Sequence, residues 1–155
     1  MVIRSTYSVV SAAADIVTAM HHPWRELRER GDGVVLHRTK FNDTRIAATN
    51  GNNAIWLDAD LLQVERRCAI QHEQAHIDLG HTNCDDPKKE SAARRLTAKK
   101  LIEWDALVDV FKWARTAHEA ADELWVTPEV LEDRLRFLHH REKALLATIG
   151  AARHS

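Results

Sequence analysis

One ten-residue stretch, "HEQAHIDLGH" from His72 to His81, constrains the fold of this chain more than any other. It contains the pattern H-E-x-x-H, in which His72 and His76 are four residues apart. On an α-helix such residues lie on one face, one turn apart, and can aim both imidazoles at one point. A zinc ion needs this geometry from two of its ligands. The stretch therefore predicts a helix that carries two ligands of a metal site.

The glutamate inside the motif predicts chemistry as well as binding. Glu73 projects beside the two histidines, where it can reach a water molecule at the metal without being a ligand itself. The alternative is a metal-free helical protein in which the spacing arises by chance, since the chain has ten histidines among 155 residues. The motif lies in a predicted helix that follows a β-region, as in zinc peptidases, and this context favours a real site.

A catalytic zinc takes three protein ligands and leaves one position open. The longer pattern H-E-x-x-H-x-x-G-x-x-H would make His81 the third ligand, but this chain does not keep that spacing. Glu90 opens the next predicted helix, and the small Ala93 one turn later lets the two helices approach, so Glu90 is the predicted third ligand. The other candidates, which would fold back from the predicted loop, are Cys84, Asp85 and Asp86.

Two further residues near the motif have competing interpretations. His81, just past the end of the motif helix, can donate a hydrogen bond to the oxyanion of a reacting carbonyl, which would make it catalytic. It can equally be a solvated histidine that the helix dipole favours at this end. Cys68 lies one turn before His72 on the same face, and we interpret it as a small core residue.

The remaining pattern predicts one α+β domain over residues 1–155. Residues 1–31 are predicted as N-terminal helices, the second opened by Pro23 and closed by Gly31 in a left-handed conformation. Residues 33–57 hold three short β-type runs, with the turn signal "NGNN" between the last two, and predict a small antiparallel meander. Residues 58–117 and 127–149 are predicted to be helical.

The helix boundaries are predicted from capping residues. The motif helix is expected to begin at Asp58 or Asp60 and to end at Gly80. A long helix is expected from about Lys88 to Ala117, and the last helix from Thr127 to a stop at Gly150.

Charge and composition exclude some classes of function. The net charge of −1 gives no general affinity for nucleic acid or membranes. The last predicted helix balances four basic with four acidic residues, so direct DNA contact by this helix is not expected. No apolar run approaches the roughly 20 residues of a membrane span. The chain has two cysteines, too few for a disulfide framework, and we predict a cytoplasmic protein.

These motifs together resemble the ImmA/IrrE family of small zinc-dependent metallopeptidases. In that family a helix with H-E-x-x-H is followed by a helix that begins E-x-x-A, here "ESAA" from Glu90 to Ala93. The similarity covers about residues 33 to 140 and is concentrated in the two metal helices. The chain departs from the family at "IEW", Ile102 to Trp104, and at Asp78, where zinc peptidase helices usually have an apolar residue.

The resemblance implies a minimal zincin-like fold and a zinc ion held by His72, His76 and Glu90, with Glu73 as general base. It also implies proteolysis of a protein partner, often a helix-turn-helix repressor that controls a mobile element or stress response. The alternative is a regulatory or interaction protein that keeps the fold and the metal but cuts nothing. Cys84 as a fourth ligand would favour that alternative, because structural zinc sites are closed by four protein ligands.

Overall fold

The β-type runs form one three-stranded sheet in the computed structural model, which describes residues 20–82 and 85–153. The strands are β1 (Val35–Thr39), β2 (Ala47–Thr49) and β3 (Ala54–Asp58). Their order in the sheet is β1-β3-β2, so the most buried strand, β3, takes the centre. Within the described ranges, β1 and β2 are therefore the two edges.

The sheet is mixed, so the predicted antiparallel meander is wrong in part. β2 and β3 do pair antiparallel across the predicted "NGNN" turn. β1, however, pairs with β3 in parallel, with Val35 opposite Ala54. The segment 40–46, which links β1 to β2, has no two-residue turn. It passes the C-terminal end of β3 and so connects one edge of the sheet to the other. The physical reason is burial: Ile55 and Leu57 of β3 are 0% and 1% exposed, which favours a central position between two neighbours.

The described part of the chain contains seven helices besides the sheet, which confirms the predicted α+β class. They are α1 (Pro23–Glu29), α2 (Gln63–Asp78), α3 (Pro87–Leu101), α4 (Trp104–Phe111), α5 (Ala117–Glu123), α6 (Pro128–Arg136) and α7 (His140–Arg153). Among the described residues, no helix combines the length and the apolar composition that a membrane span requires. The predicted helix within residues 1–19 lies outside the described residues.

The motif helix α2 ends where predicted but begins later. Asp58 belongs to β3, and its carboxylate accepts a hydrogen bond from Asp60 N at 2.9 Å, so neither aspartate caps the helix. The helix begins at Gln63, and the Glu65 carboxylate accepts from Leu62 N at 2.8 Å. At the other end Gly80 has φ +68°, the left-handed conformation expected of a helix stop.

The predicted helix from Lys88 to Ala117 is divided into α3, α4 and the start of α5. The chain becomes extended at Ile102 (φ −121°, ψ 97°), whose side chain is completely buried. The last predicted helix is likewise divided into α6 and α7, and α7 runs through the predicted stop at Gly150 to Arg153. Leu138, in the link between them, is buried. The breaks at Ile102 and Leu138 have no glycine or proline to mark them, and each coincides with a side chain that packs into the core.

The helix α2 is the centre of the molecule because both hydrophobic clusters include residues from it. Ala69 and Ile70 pack with β3 residues in one cluster. Cys68 packs with the helices that follow in the other, which confirms it as a core residue, and its Sγ accepts a hydrogen bond from Thr127 N at 3.4 Å. A helix held on two sides gives the residues on its remaining face a rigid position.

Ion pairs join α1 to α2 and α3 and explain the polar residue at Asp78. The Asp78 carboxylate lies 2.6 Å from Arg30 Nη1 and 2.9 Å from Lys100 Nζ. Lys100 also pairs with Glu26 of α1. The contact with His21 and the positive charge of Lys100 outweigh burial and lower the pKa of Glu26 to about 2. An apolar residue at position 78 would leave Arg30 and Lys100 without this partner.

Candidate metal centre

Two packed helices supply the predicted ligands. The helix α2 carries His72, Glu73 and His76, and α3 carries Glu90 in its first turn. The α3 turn is fixed by Asp86, whose carboxylate accepts a hydrogen bond from Lys88 N at 2.8 Å. Asp86 is therefore the cap of α3.

The sequence predicts that the small Ala93 lets α2 and α3 pack closely, and the two helices do so. Ala93 is completely buried, and α2 and α3 are in direct contact. A larger side chain at this position would hold the two helices apart and move Glu90 away from the histidines.

The ligand atoms of three side chains converge on one point. His72 Nε2 lies 3.1 Å from His76 Nε2, and these two nitrogens lie 3.3 Å from Glu90 Oε1 and Oε2 respectively. Four ligands at about 2.0–2.1 Å around a tetrahedral ion are separated from one another by about 3.3 Å. The distance between the two nitrogens is close to that separation, as is the distance from each nitrogen to its own oxygen of the carboxylate. One ligand atom from each of the three residues lies within 4.8 Å of the others, so this group could hold a metal ion.

The electrostatics of the group favour a positive charge at the same point. Hydrogen bonds with His72 and His76 hold the pKa of Glu90 well below its usual range. Burial lowers the pKa of His72, but the hydrogen bond with Glu90 and its negative charge outweigh burial and raise it overall. The carboxylate and the imidazoles thus attract either a proton or a metal cation between them.

Glu73 lies in the wall of the same cleft and is largely shielded from solvent. It is 6% exposed, and burial raises the pKa of its carboxyl group. A carboxylate whose proton affinity is raised in this way is better suited to take a proton from water. The charge of Glu73 interacts with those of the three residues of the group, so Glu73 lies beside the candidate metal site, as the sequence motif predicts.

The predicted alternatives to Glu90 are arranged differently. Asp85 lines the cleft but is not a member of the converging group. Cys84 lies outside the described residues.

His81 Nδ1 lies 3.1 Å from His76 Nδ1, on the side of the His76 ring away from Glu90. Burial and the neighbouring His76 lower the pKa of His81. An oxyanion donor must face the cleft, but His81 is not among the described residues that line the cleft. This geometry therefore does not favour the predicted catalytic role of His81.

The candidate metal centre lies in the wall of a cleft of about 1070 Å³. Residues of α2, α3 and α6 line it together with the edge strand β2 and the two residues before that strand. The sequence run "AIWL" forms β3, which is central in the sheet, so the strand that lies at the cleft is the edge strand β2.

Comparisons with known proteins found no matching family model, no matching curated protein and no matching solved structure. The resemblance to the ImmA/IrrE family therefore stays a prediction that rests on the residues of α2 and α3.

Sequence reasoning missed the contribution of α6 to the cleft. Asp133 of α6 is buried, and its Oδ2 accepts a hydrogen bond from Arg94 Nε at 2.8 Å. Both residues line the cleft. The available signal was Arg94 itself, because it lies four residues after Glu90 and so on the same face of α3. Its partner on α6 is 39 residues away in sequence, and no local pattern predicts that pairing.

The turn between β2 and β3 holds the segment that follows α2. Gly51 has φ +73°, and a Cβ at this position would lie 2.0 Å from the carbonyl oxygen of His81. We expect Gly51→Ala to lower the free energy of unfolding by about 3 kcal/mol. This loss combines a left-handed backbone strain of about 1–2 kcal/mol with an overpacking cost of about 1–3 kcal/mol. Urea unfolding followed by circular dichroism measures the change.

Gly33 provides a matched control for this prediction. It has the same φ of +73°, but a Cβ there would meet nothing within 4 Å. Gly33→Ala should therefore lose only the strain of about 1–2 kcal/mol. Equal losses in the two variants would contradict the proposed contact between the turn and the His81 segment.

Proposed function

We propose that this chain is a zinc-dependent endopeptidase of the ImmA/IrrE type, which hydrolyses a peptide bond in a protein partner. One observation carries the proposal: His72, His76 and Glu90 each place a ligand atom within 4.8 Å of the others, in the wall of a cleft that also contains the buried Glu73. The described residues supply three protein ligands, which is the number that catalytic zinc sites use. A metal with a purely structural role would have no need of a second carboxylate, that of Glu73, beside the ligands.

The two imidazoles and the carboxylate fit zinc better than they fit hard cations. Calcium and magnesium take mostly oxygen ligands, whereas histidine nitrogen is a common ligand of zinc. Zinc bound here would supply Lewis-acid chemistry, which lowers the pKa of a water molecule and polarises a carbonyl group. The chain's own residues have to hold the substrate and move the proton.

Glu73 is the residue that moves the proton. In the proposed reaction its carboxylate accepts a proton from the attacking water as the water oxygen bonds to the carbonyl carbon. It then donates this proton to the amide nitrogen as the carbon–nitrogen bond breaks, so that the carboxylate is regenerated. Burial of Glu73 supports this role, because the exclusion of water strengthens its interaction with the reacting groups.

The edge strand β2 is the part of the cleft best suited to hold a peptide. An extended substrate can add to a sheet edge through main-chain hydrogen bonds, which do not depend on its sequence. Ala47, Ala48 and Thr49 line the cleft on this edge. An added strand would lie along the edge of β2 that faces away from β3.

We propose a cytoplasmic protein as the substrate, and a helix-turn-helix repressor as the first candidate. The support is the resemblance of the two metal helices to the ImmA/IrrE family, together with the low cysteine content.

The test uses purified chain loaded with one equivalent of zinc and a proteome-derived peptide library, with new termini identified by mass spectrometry. We expect cleavage that stops when zinc is chelated and returns when zinc is restored. Stoichiometric zinc binding without any cleavage of the library or of a repressor would overturn the peptidase proposal in favour of a regulatory metal protein. A chain that binds no zinc would overturn both.

A further inference from the structure

His76 contacts a second histidine on the ring edge opposite its ligand atom. His76 Nδ1 lies 3.1 Å from His81 Nδ1, and the two ring centroids are 5.3 Å apart. The two residues are 2% and 9% exposed, so water has little access to this contact. Its partner is therefore the neighbouring imidazole and not solvent.

The backbone at the end of α2 creates this contact. Gly80 N donates to Ile77 O at 3.0 Å, and His81 N donates to His76 O at 2.9 Å. These two bonds form a Schellman motif, in which the second residue past the helix cap lies over the third residue from the end. An apolar pair usually occupies these two positions. Here they hold His81 and the ligand His76.

Proton placement then follows from the ligand geometry. His76 Nε2 belongs to the converging group, so it must offer a lone pair when a metal is bound. The proton of the neutral ring is consequently on Nδ1, which faces His81. His81 Nδ1 can accept that hydrogen bond only if its own proton is on Nε2. One arrangement of protons therefore satisfies the contact and the metal site together.

We propose that His81 is a positioning residue, which accepts a hydrogen bond from His76 Nδ1 and so fixes the ring orientation and the proton position that metal binding requires. This inference deepens the proposed function and rests on the metal site. Metal-bound histidines generally use a carboxylate, a backbone carbonyl or water as this partner. The Gly51 turn lies against the His81 backbone carbonyl and so restricts movement of the backbone that carries the ring.

Two substitutions at His81 separate hydrogen bonding from packing. His81→Leu keeps an apolar side chain where Schellman motifs favour one, but it removes the acceptor. His81→Asn keeps an acceptor atom close to the position of Nδ1. The exposed His118 on α5 provides a control, His118→Leu, for the loss of an imidazole elsewhere.

The measurement is the zinc dissociation constant, obtained by competition with a chromophoric chelator, alongside the melting temperature of the metal-free variants. We expect His81→Leu to weaken zinc binding by about 10–100-fold and His81→Asn to restore it to within a few-fold of wild type. Nitrogen-15 NMR of the zinc-loaded wild type should find the His76 proton on Nδ1.

Two results would overturn the inference while leaving the metal site intact: wild-type affinity in His81→Leu, or a His76 proton on Nε2. Equal weakening by Leu and Asn, with a matching fall in melting temperature, would also overturn it in favour of simple packing. Failure of the wild type to bind zinc would instead remove the site itself, which is a different outcome from either of these.

Discussion

Removal of a single ligand is expected to abolish stoichiometric zinc binding. We predict that His72→Ala and Glu90→Ala each weaken zinc binding by at least about a hundredfold. Complete four-ligand zinc sites are worth about 10–16 kcal/mol, so one ligand contributes about 3 kcal/mol. The side chains of His72 and Glu90 are 23% and 41% exposed, so their truncation leaves no large cavity in the core. Metal analysis after dialysis, with one equivalent as the wild-type value, measures the effect.

Three control variants test whether the ligand set is the correct one. Asp85→Ala and Cys84→Ser remove two of the three alternative loop ligands that the sequence allows, and His118→Ala removes an exposed histidine on α5. All three should keep one equivalent of zinc. Loss of zinc in Cys84→Ser would show a fourth protein ligand, and the peptidase proposal would give way to a closed structural site. Retention of zinc in Glu90→Ala would show that the third ligand has been assigned wrongly.

The grouping of the three candidate ligands could be predicted from sequence because its geometry is almost entirely local. His72 and His76 share a helical face through their spacing alone. Glu90 needed one tertiary assumption, that consecutive helices pack against each other, and the small Ala93 made that assumption reasonable. Consecutive elements are usually neighbours in space, so the assumption had a physical basis.

The parts that could not be predicted depend on contacts between distant residues. The parallel pairing of β1 with β3 is set by burial of the central strand, and no turn signal encodes it. The breaks at Ile102 and Leu138 are made by side chains that turn into the core, where tertiary packing overrides helix propensity. In each case the deciding interaction lies outside the window that a local pattern covers.

The arrangement of His81 shows the same limit within the site itself. Gly80 predicts the end of α2, and this prediction was correct. The direction of the His81 ring, however, depends on the Schellman hydrogen bonds and on the Gly51 turn, which lies about thirty residues earlier. A histidine after a helix end looks the same in sequence whether it faces solvent, a substrate or another ligand.

The last prediction separates chemistry from metal binding at the cleft. We expect Glu73→Gln to bind zinc within a few-fold of wild type but to lower kcat/KM by about 10²–10⁴-fold. Glutamine has nearly the same shape as glutamate, yet its amide cannot accept the proton of the attacking water. The measurement uses the best peptide from the library screen, with zinc content determined on the same samples.

A second cleft glutamate provides the matched control for this substitution. Glu129 of α6 also lines the cleft but is exposed and is not part of the metal centre. Glu129→Gln should therefore leave kcat/KM within a few-fold of wild type. Full activity in Glu73→Gln would exclude Glu73 as the base, and loss of zinc in that variant would assign it to holding the metal. Because the carboxylate is buried beside two imidazoles and not bonded into the triangle of ligand atoms, a large loss of turnover with zinc retained is the outcome that its position predicts.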